Sequence, residues 1–176
     1  IAFEGDVGET IRQYLHGNEH RMSFMSSPNS SILQLMKANV VSSDGNIIYP
    51  SSELTVKMVV SIRNSIKYLV MGFNLYSSYG YPLARADYNE YDQKYTLPIG
   101  DYEITFKIPP FTLATGEYRI VFDVADIDVK NFAGSNSVLT FNVAQGERLF
   151  GNAFNETNAL KCSLIKHEWL KEYHKL

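Results

Sequence analysis

An all-β fold, an immunoglobulin-like sandwich of two antiparallel sheets, is what three observations on this 176-residue chain predict. Two segments repeat one design: Gly100-Asp101-Tyr102 leads into Tyr102/Ile104/Phe106/Ile108, and Gly116-Glu117-Tyr118 into Tyr118/Ile120/Phe122/Val124. Apolar residues at every second position define a strand with one buried face, and a repeat across a short Pro-Pro connection predicts two neighbouring strands. Further alternating stretches follow at short intervals from about Ile32, giving a succession of short expected strands with no internal segment of helical spacing.

Taken in order, residues 7–17 place Val7, Ile11, Tyr14 and Leu15 on one stripe ended by Gly17, the pattern of a short amphipathic helix. Residues 18–30 turn polar and Ser-rich around Pro28 and read as a linker. Residues 32–42 form the first expected strand, closed by the Asp44-Gly45-Asn46 turn. Leu54, Val56, Met58, Val60 and Ile62 alternate in the second. In the third, 66–77, Leu69, Met71, Phe73 and Leu75 face inward, and Tyr68, Val70, Gly72, Asn74 and Tyr76 face out. The loop 77–82 turns the chain. Residues 83–96, with Arg85, Asp87, Tyr88, Asn89 and Tyr91, are expected to cover an edge irregularly. The two Gly-acid-Tyr strands come next, then Leu139, Phe141 and Val143 near 136–144, and a candidate strand from Cys162 to Leu170. A seven-strand sandwich has no need of that last strand. It either exchanges with a second copy or folds back on its own sheet edge, and the residues leave both open.

Composition narrows the function. Net charge is −3 with scattered Lys and Arg, so there is no nucleic-acid footprint. No run approaches the roughly 18 apolar residues of a membrane helix. The start, Ile1-Ala2-Phe3-Glu4-Gly5-Asp6, lacks an initiator Met and the basic lead of a secretory signal, so the chain is expected to be cut from a longer protein. Cys162 is the single cysteine; without an intrachain disulfide a reducing compartment is favoured. Acceptor triplets at Asn29 and Asn155 are the kind that chance produces in an Asn- and Ser-rich chain.

The segment V-G-E-T-I-R-Q-Y-L, the Asp44-Gly45 hairpin and the late C-S-L-I-K-H-E-W-L with Trp169 together resemble the carboxy-terminal domain of Wzt. Wzt is the nucleotide-binding subunit of ABC transporters that export O-antigen polysaccharides, and the resemblance covers roughly residues 30 to 170. It implies an immunoglobulin-like domain that binds the modified non-reducing end of the finished glycan in the cytoplasm, at the inner face of the bacterial inner membrane. It also implies a homodimer formed by exchanging the last strand, joined through the full-length protein to a transmembrane subunit. Residues 1–30 would then be the helix and linker closing a preceding ATPase domain, and 31–176 the binding domain. No G-x-x-x-x-G-K-[ST] occurs, so this chain alone is not expected to hydrolyse ATP, and no cofactor is expected. The family's ligand residues form no motif that can be matched here.

Site candidates therefore come from strand arithmetic. If 66–77, 117–125 and 136–144 are neighbours, their outward faces present Tyr68, Asn74 and Tyr76, then Arg119 and Asp123, then Thr140 and Asn142. That mix supplies aromatic plates for a sugar ring, amide and charged groups for hydroxyls, and room at Gly72. Arg119 would suit an acidic terminal group. The plain alternative is a solvated sheet face with an Arg119–Asp123 ion pair. An interaction module that binds a protein partner is a second reading of the whole chain, and a glycoside-active enzyme using Asp123, Asp126 and Asp128 a third. His16 and His20 stand at a helical metal spacing, but Gly17 and Asn18 break the helix between them, so no metal site is expected. Neither a G-x-S-x-G nucleophile nor a phosphate loop is present.

Overall fold

The computed structural model describes residues 20–90, 96–127, 130–132, 137–144 and 170–176. Among the described residues the strands are β1 (Ser23–Met25), β2 (Leu33–Ser42), β3 (Leu54–Ile62), β4 (Leu69–Ser77), β5 (Pro82–Asp87), β6 (Gly100–Ile108), β7 (Gly116–Asp126), β8 (Lys130–Asn131), β9 (Val138–Val143) and β10 (Leu170–Lys175). They form two antiparallel sheets. One runs β1-β2-β3-β6-β10; the other runs β5-β4-β7, with β8 and β9 both on the far edge of β7. The order β2-β3-β6-β10 against β5-β4-β7-β9 is that of an immunoglobulin sandwich, with the C-terminal strand in the edge position beside β6.

Inward residues of both sheets meet in one core. Leu54, Val56, Met58, Val60 and Ile62 of β3 face Leu69, Met71, Phe73 and Leu75 of β4, all essentially inaccessible to water. The Phe73 ring meets Phe106 across the sheets edge-on at 5.2 Å, an arrangement aromatic quadrupoles favour. In β2 the alternation slips at a bulge between Leu35 and Lys37, which keeps Ala38 and Val40 inward after Leu33 and Leu35.

The two Gly-acid-Tyr segments share a physical role. Tyr102 Oη donates to the Pro98 carbonyl at 2.8 Å, and Tyr118 Oη to the Ala114 carbonyl at 2.9 Å, each four residues upstream. Both hydroxyls close the turn before their strand while the ring stays in the core, the tyrosine corner of this fold, here made twice. The two strands are not sheet neighbours, however. β6 pairs with β3 and β10, while β7 pairs with β4, β8 and β9, so residues 109–115 cross between layers. Phe111, in that crossing, has φ 62 and donates its N–H to the Pro50 carbonyl at 2.6 Å.

Two further expectations are revised. Residues 82–87 form a regular strand paired with β4, because Ala84, Ala86 and Tyr88 alternate with Arg85 and Asp87 and turn inward. The stretch read as a linker contributes β1, whose Phe24 joins the core. The expected helix at 7–17 and residues 162–169 of the candidate last strand lie outside the described residues. β10 begins at Leu170 and pairs with β6 of its own chain.

Candidate functional site

The outer face of the β5-β4-β7-β9 sheet holds every predicted site residue except Tyr68. Its register sets the rows: Tyr76 lies beside Arg119 and Arg119 beside Thr140, while Asn74 lies beside Val121 and Val121 beside Val138. Gly72 lies beside Asp123 on one side and Asp87 on the other; Asn74 lies beside Arg85. Asn142 is exposed one row beyond Thr140, opposite Glu117. Asn74, Tyr76, Arg119, Asp123, Thr140 and Asn142 thus form one contiguous patch. Tyr68 does not join it. It stands in the bend before Leu69, eight residues from Tyr76 and roughly 26 Å away along the extended chain, too far to hold the same sugar ring.

The middle of the patch is organised by Arg85, which sequence reasoning placed in an irregular edge. Its Nε and Nη2 donate to Asp87 Oδ2 and Oδ1 at 2.7 and 2.8 Å, a two-point fork. Nη2 also reaches Asp123 Oδ2 at 3.0 Å, and Nη1 donates to Asn74 Oδ1 at 3.3 Å. Partial burial alone would lower the Arg85 pKa; the hydrogen bonds and charges of Asp87 and Asp123 outweigh it and carry the net shift upward. The guanidinium therefore stays charged throughout the physiological range. The signal that could have located this strand is the Ala-Arg-Ala-Asp-Tyr alternation at 84–88, muted because Ala adds little hydrophobicity.

Space expected for a ligand above Gly72 is already taken. A Cβ there would lie 2.1 Å from the Ala86 carbonyl oxygen and 2.8 Å from Asp87 Oδ1, so the glycine serves the close approach of β5. The aromatic plates also differ from expectation. The Arg119 guanidinium lies 5.1 Å from the Tyr76 ring centroid, and Lys67 Nζ lies 4.7 Å from that of Tyr68. A sugar stacking on the covered side of either ring must displace its cation. That contact is worth only ~0.5–1 kcal/mol at an exposed site, well within reach of a bound ligand. Thr140 Oγ1 accepts the Arg21 backbone N–H at 3.0 Å, and the Thr140 N–H donates back to the Arg21 carbonyl, so the N-terminal segment caps that edge.

The face presents hydrogen-bonding groups. Asp123 points outward and is held by Arg85, whereas Asp126 falls on the opposite parity of β7, so the two do not form an acid/base pair. Asp128 lies outside the described residues. Among the described residues no group of three or more His, Cys, Asp or Glu could hold a metal ion. The outer face of the other sheet carries a shallow groove of about 470 Å³ lined by Lys37, Asn39, Val41, Thr55, Lys57, Val59 and Glu103, with Lys57 paired to Glu103 at 3.2 Å. No aromatic ring lines it.

Fold and face together define an immunoglobulin-like β-sandwich with a polar, tyrosine-bearing outer sheet. The profile of the Wzt C-terminal domain family matches residues 32–155, and the chain belongs to that family. A solved structure described as the crystal structure of the C-terminal domain of wzt superimposes with a TM-score of 0.55 at 10% identity, covering 82% of this chain and 92% of the other. At that identity the likeness shows the fold alone. No curated protein matches the chain.

Proposed function

We propose that this chain is a non-catalytic carbohydrate-binding domain that recognises the non-reducing end of an O-antigen polysaccharide and thereby selects the substrate of an ABC transporter. The observation that carries the reading is the family match over residues 32–155, on a sheet whose outer face brings Tyr76, Arg119, Asn74 and Asp123 into one patch. Rings that can lie against the C–H face of a sugar and fixed polar groups that can meet hydroxyls are what saccharide recognition requires. The grooved face of the other sheet supports the reading less well, because it offers no ring. Within the transporter the domain would work as a homodimer, exchanging β10 onto the β6 edge of a second copy, at the cytoplasmic side of the inner membrane beside the transmembrane subunit. Exchange would keep every β6–β10 hydrogen bond, since the register is the same within one chain or between two.

Titration with purified O-antigen polysaccharide tests the site. Tyr76→Ala and Arg119→Ala are each expected to weaken binding about tenfold, on the order of 1.4 kcal/mol, without loss of the fold. Unchanged affinity in both moves the site off this sheet. No saccharide affinity in the unmodified chain favours the alternative, an interaction module for a protein partner.

A further inference from the structure

Thr140 stands where β9 meets the segment that precedes β1. Its neighbours Leu139 and Phe141 point into the core, so Thr140 points outward, and it is only partly buried. On one side it lies beside Arg119, which lies beside Tyr76. On the other it exchanges two hydrogen bonds with Arg21. The Arg21 backbone N–H donates to Thr140 Oγ1 at 3.0 Å, and the Thr140 N–H donates to the Arg21 carbonyl at 3.0 Å. A backbone N–H has no lone pair and only donates, which fixes Oγ1 as the acceptor of the first bond. The hydroxyl proton is left over as a donor, and no acceptor among the described residues takes it.

The segment that supplies this bond is anchored independently on the other sheet. Ser23, Phe24 and Met25 pair with Asn39, Ala38 and Lys37 of β2, and the Val40 N–H donates to the Met22 carbonyl at 2.9 Å. Arg21 folds back on the same segment: its Nε donates to the Ser23 carbonyl at 3.3 Å, and its guanidinium lies 5.3 Å from the Phe24 ring centroid. Residues 23–25 therefore have a place on β2 whether or not Arg21 holds Thr140. A hydroxyl that accepts one hydrogen bond and donates another is polarised by both, and each bond strengthens the other.

Resting on the reading of this sheet as a glycan surface, we propose that Thr140 is a relay: its hydroxyl donates to a hydroxyl or ring oxygen of the bound saccharide while it accepts from Arg21, so glycan occupancy and the hold of Arg21 on the second sheet reinforce each other. Thr140 is then a binding residue, and the Arg21 backbone positions its proton. Such coupling is reciprocal. Whatever fixes Arg21 on Thr140 raises the affinity for glycan by the factor by which glycan strengthens that hold. Occupancy of the patch is thereby felt in the residues just before β1.

Amide hydrogen exchange of the full chain, with and without saturating purified O-antigen polysaccharide, tests the relay. The polysaccharide is expected to slow exchange of the Arg21 amide about two- to fivefold. Thr140→Ser keeps the oxygen and is expected to keep the slowing. Thr140→Val keeps the shape without the oxygen; it is expected to abolish the slowing even at saturation and to weaken binding about three- to tenfold. Melting temperatures of both variants check the fold. An Arg21 amide that exchanges equally fast with and without saturating polysaccharide, or one still slowed in Thr140→Val, overturns the relay; binding that Tyr76→Ala weakens then leaves the glycan surface standing. No binding of the polysaccharide to the unmodified chain overturns the surface, and the relay with it.

Discussion

Gly72 carries more structural weight than any outward side chain near it. With the Ala86 carbonyl oxygen 2.1 Å from where its Cβ would be, Gly72→Ala has to push β5 away from β4. An overpacking cost of about 1–3 kcal/mol is expected, measurable as a lower urea midpoint. The same displacement would drag Arg85 and Asp87 off Asp123. In the sequence Gly72 reads as room for a ligand, since a glycine on an outward position has no other local explanation. The strand that fills the room lies ten or more residues later, and nothing near Gly72 announces it. The tyrosine corners were partly legible: the repeated Gly-acid-Tyr spelling was visible, but not the carbonyls it serves. Tyr102→Phe and Tyr118→Phe each remove this hydrogen bond, and the second leaves the buried Ala114 carbonyl without it. Each is expected to cost about 1–2 kcal/mol by chemical denaturation, and the double variant the sum, because the two corners lie in different sheets.

Strands with a strong period of two were readable nearly to their ends. β2, β3, β4, β6, β7 and β9 are where alternating Val, Ile, Leu and Phe place them. What alternation cannot supply is the layer to which a strand belongs. β6 and β7 have almost the same pattern, and either could pair with the other; the crossing at 109–115 puts them in opposite sheets. β1 escaped notice because three residues in a Ser-rich stretch give no period. Phe24 alone shows its worth, packed in the core at 9% exposure. Phe24→Ala is expected to destabilise the domain by about 3 kcal/mol, which thermal unfolding would register. β5 escaped for a different reason, its inward residues being Ala84 and Ala86. With it went Arg85, so the patch was foreseen without the residue that organises it.

At the scale of the molecule, β10 completes the β6 edge, where a row of backbone groups would otherwise be unpaired. Lys175 lies over Gly100 so closely that a Cβ there would meet its side chain at 2.4 Å, and the Leu176 N–H donates to the Asp101 carbonyl at 2.8 Å. Deleting residues 170–176 is expected to leave the sandwich folded, with its near-ultraviolet dichroism retained, while light scattering reports the loss of the proposed dimer. A dimer that survives the deletion would place the contact elsewhere. Two layers, one core and an outer face with Tyr76 and Arg119 side by side could be foreseen; the partner of each edge could not, because an edge looks the same in sequence whichever strand covers it.

The segment from Arg21 to Met25 touches both layers. Residues 23–25 pair with β2, while Arg21 exchanges hydrogen bonds with Thr140 of β9. Tension applied at residue 20 along the chain is therefore shared by the two sheets at once, and much of it acts in shear, where several bonds must give way together instead of one after another. The tether ends beside Arg119, so a tug from upstream arrives next to the patch that holds Tyr76 and Asp123.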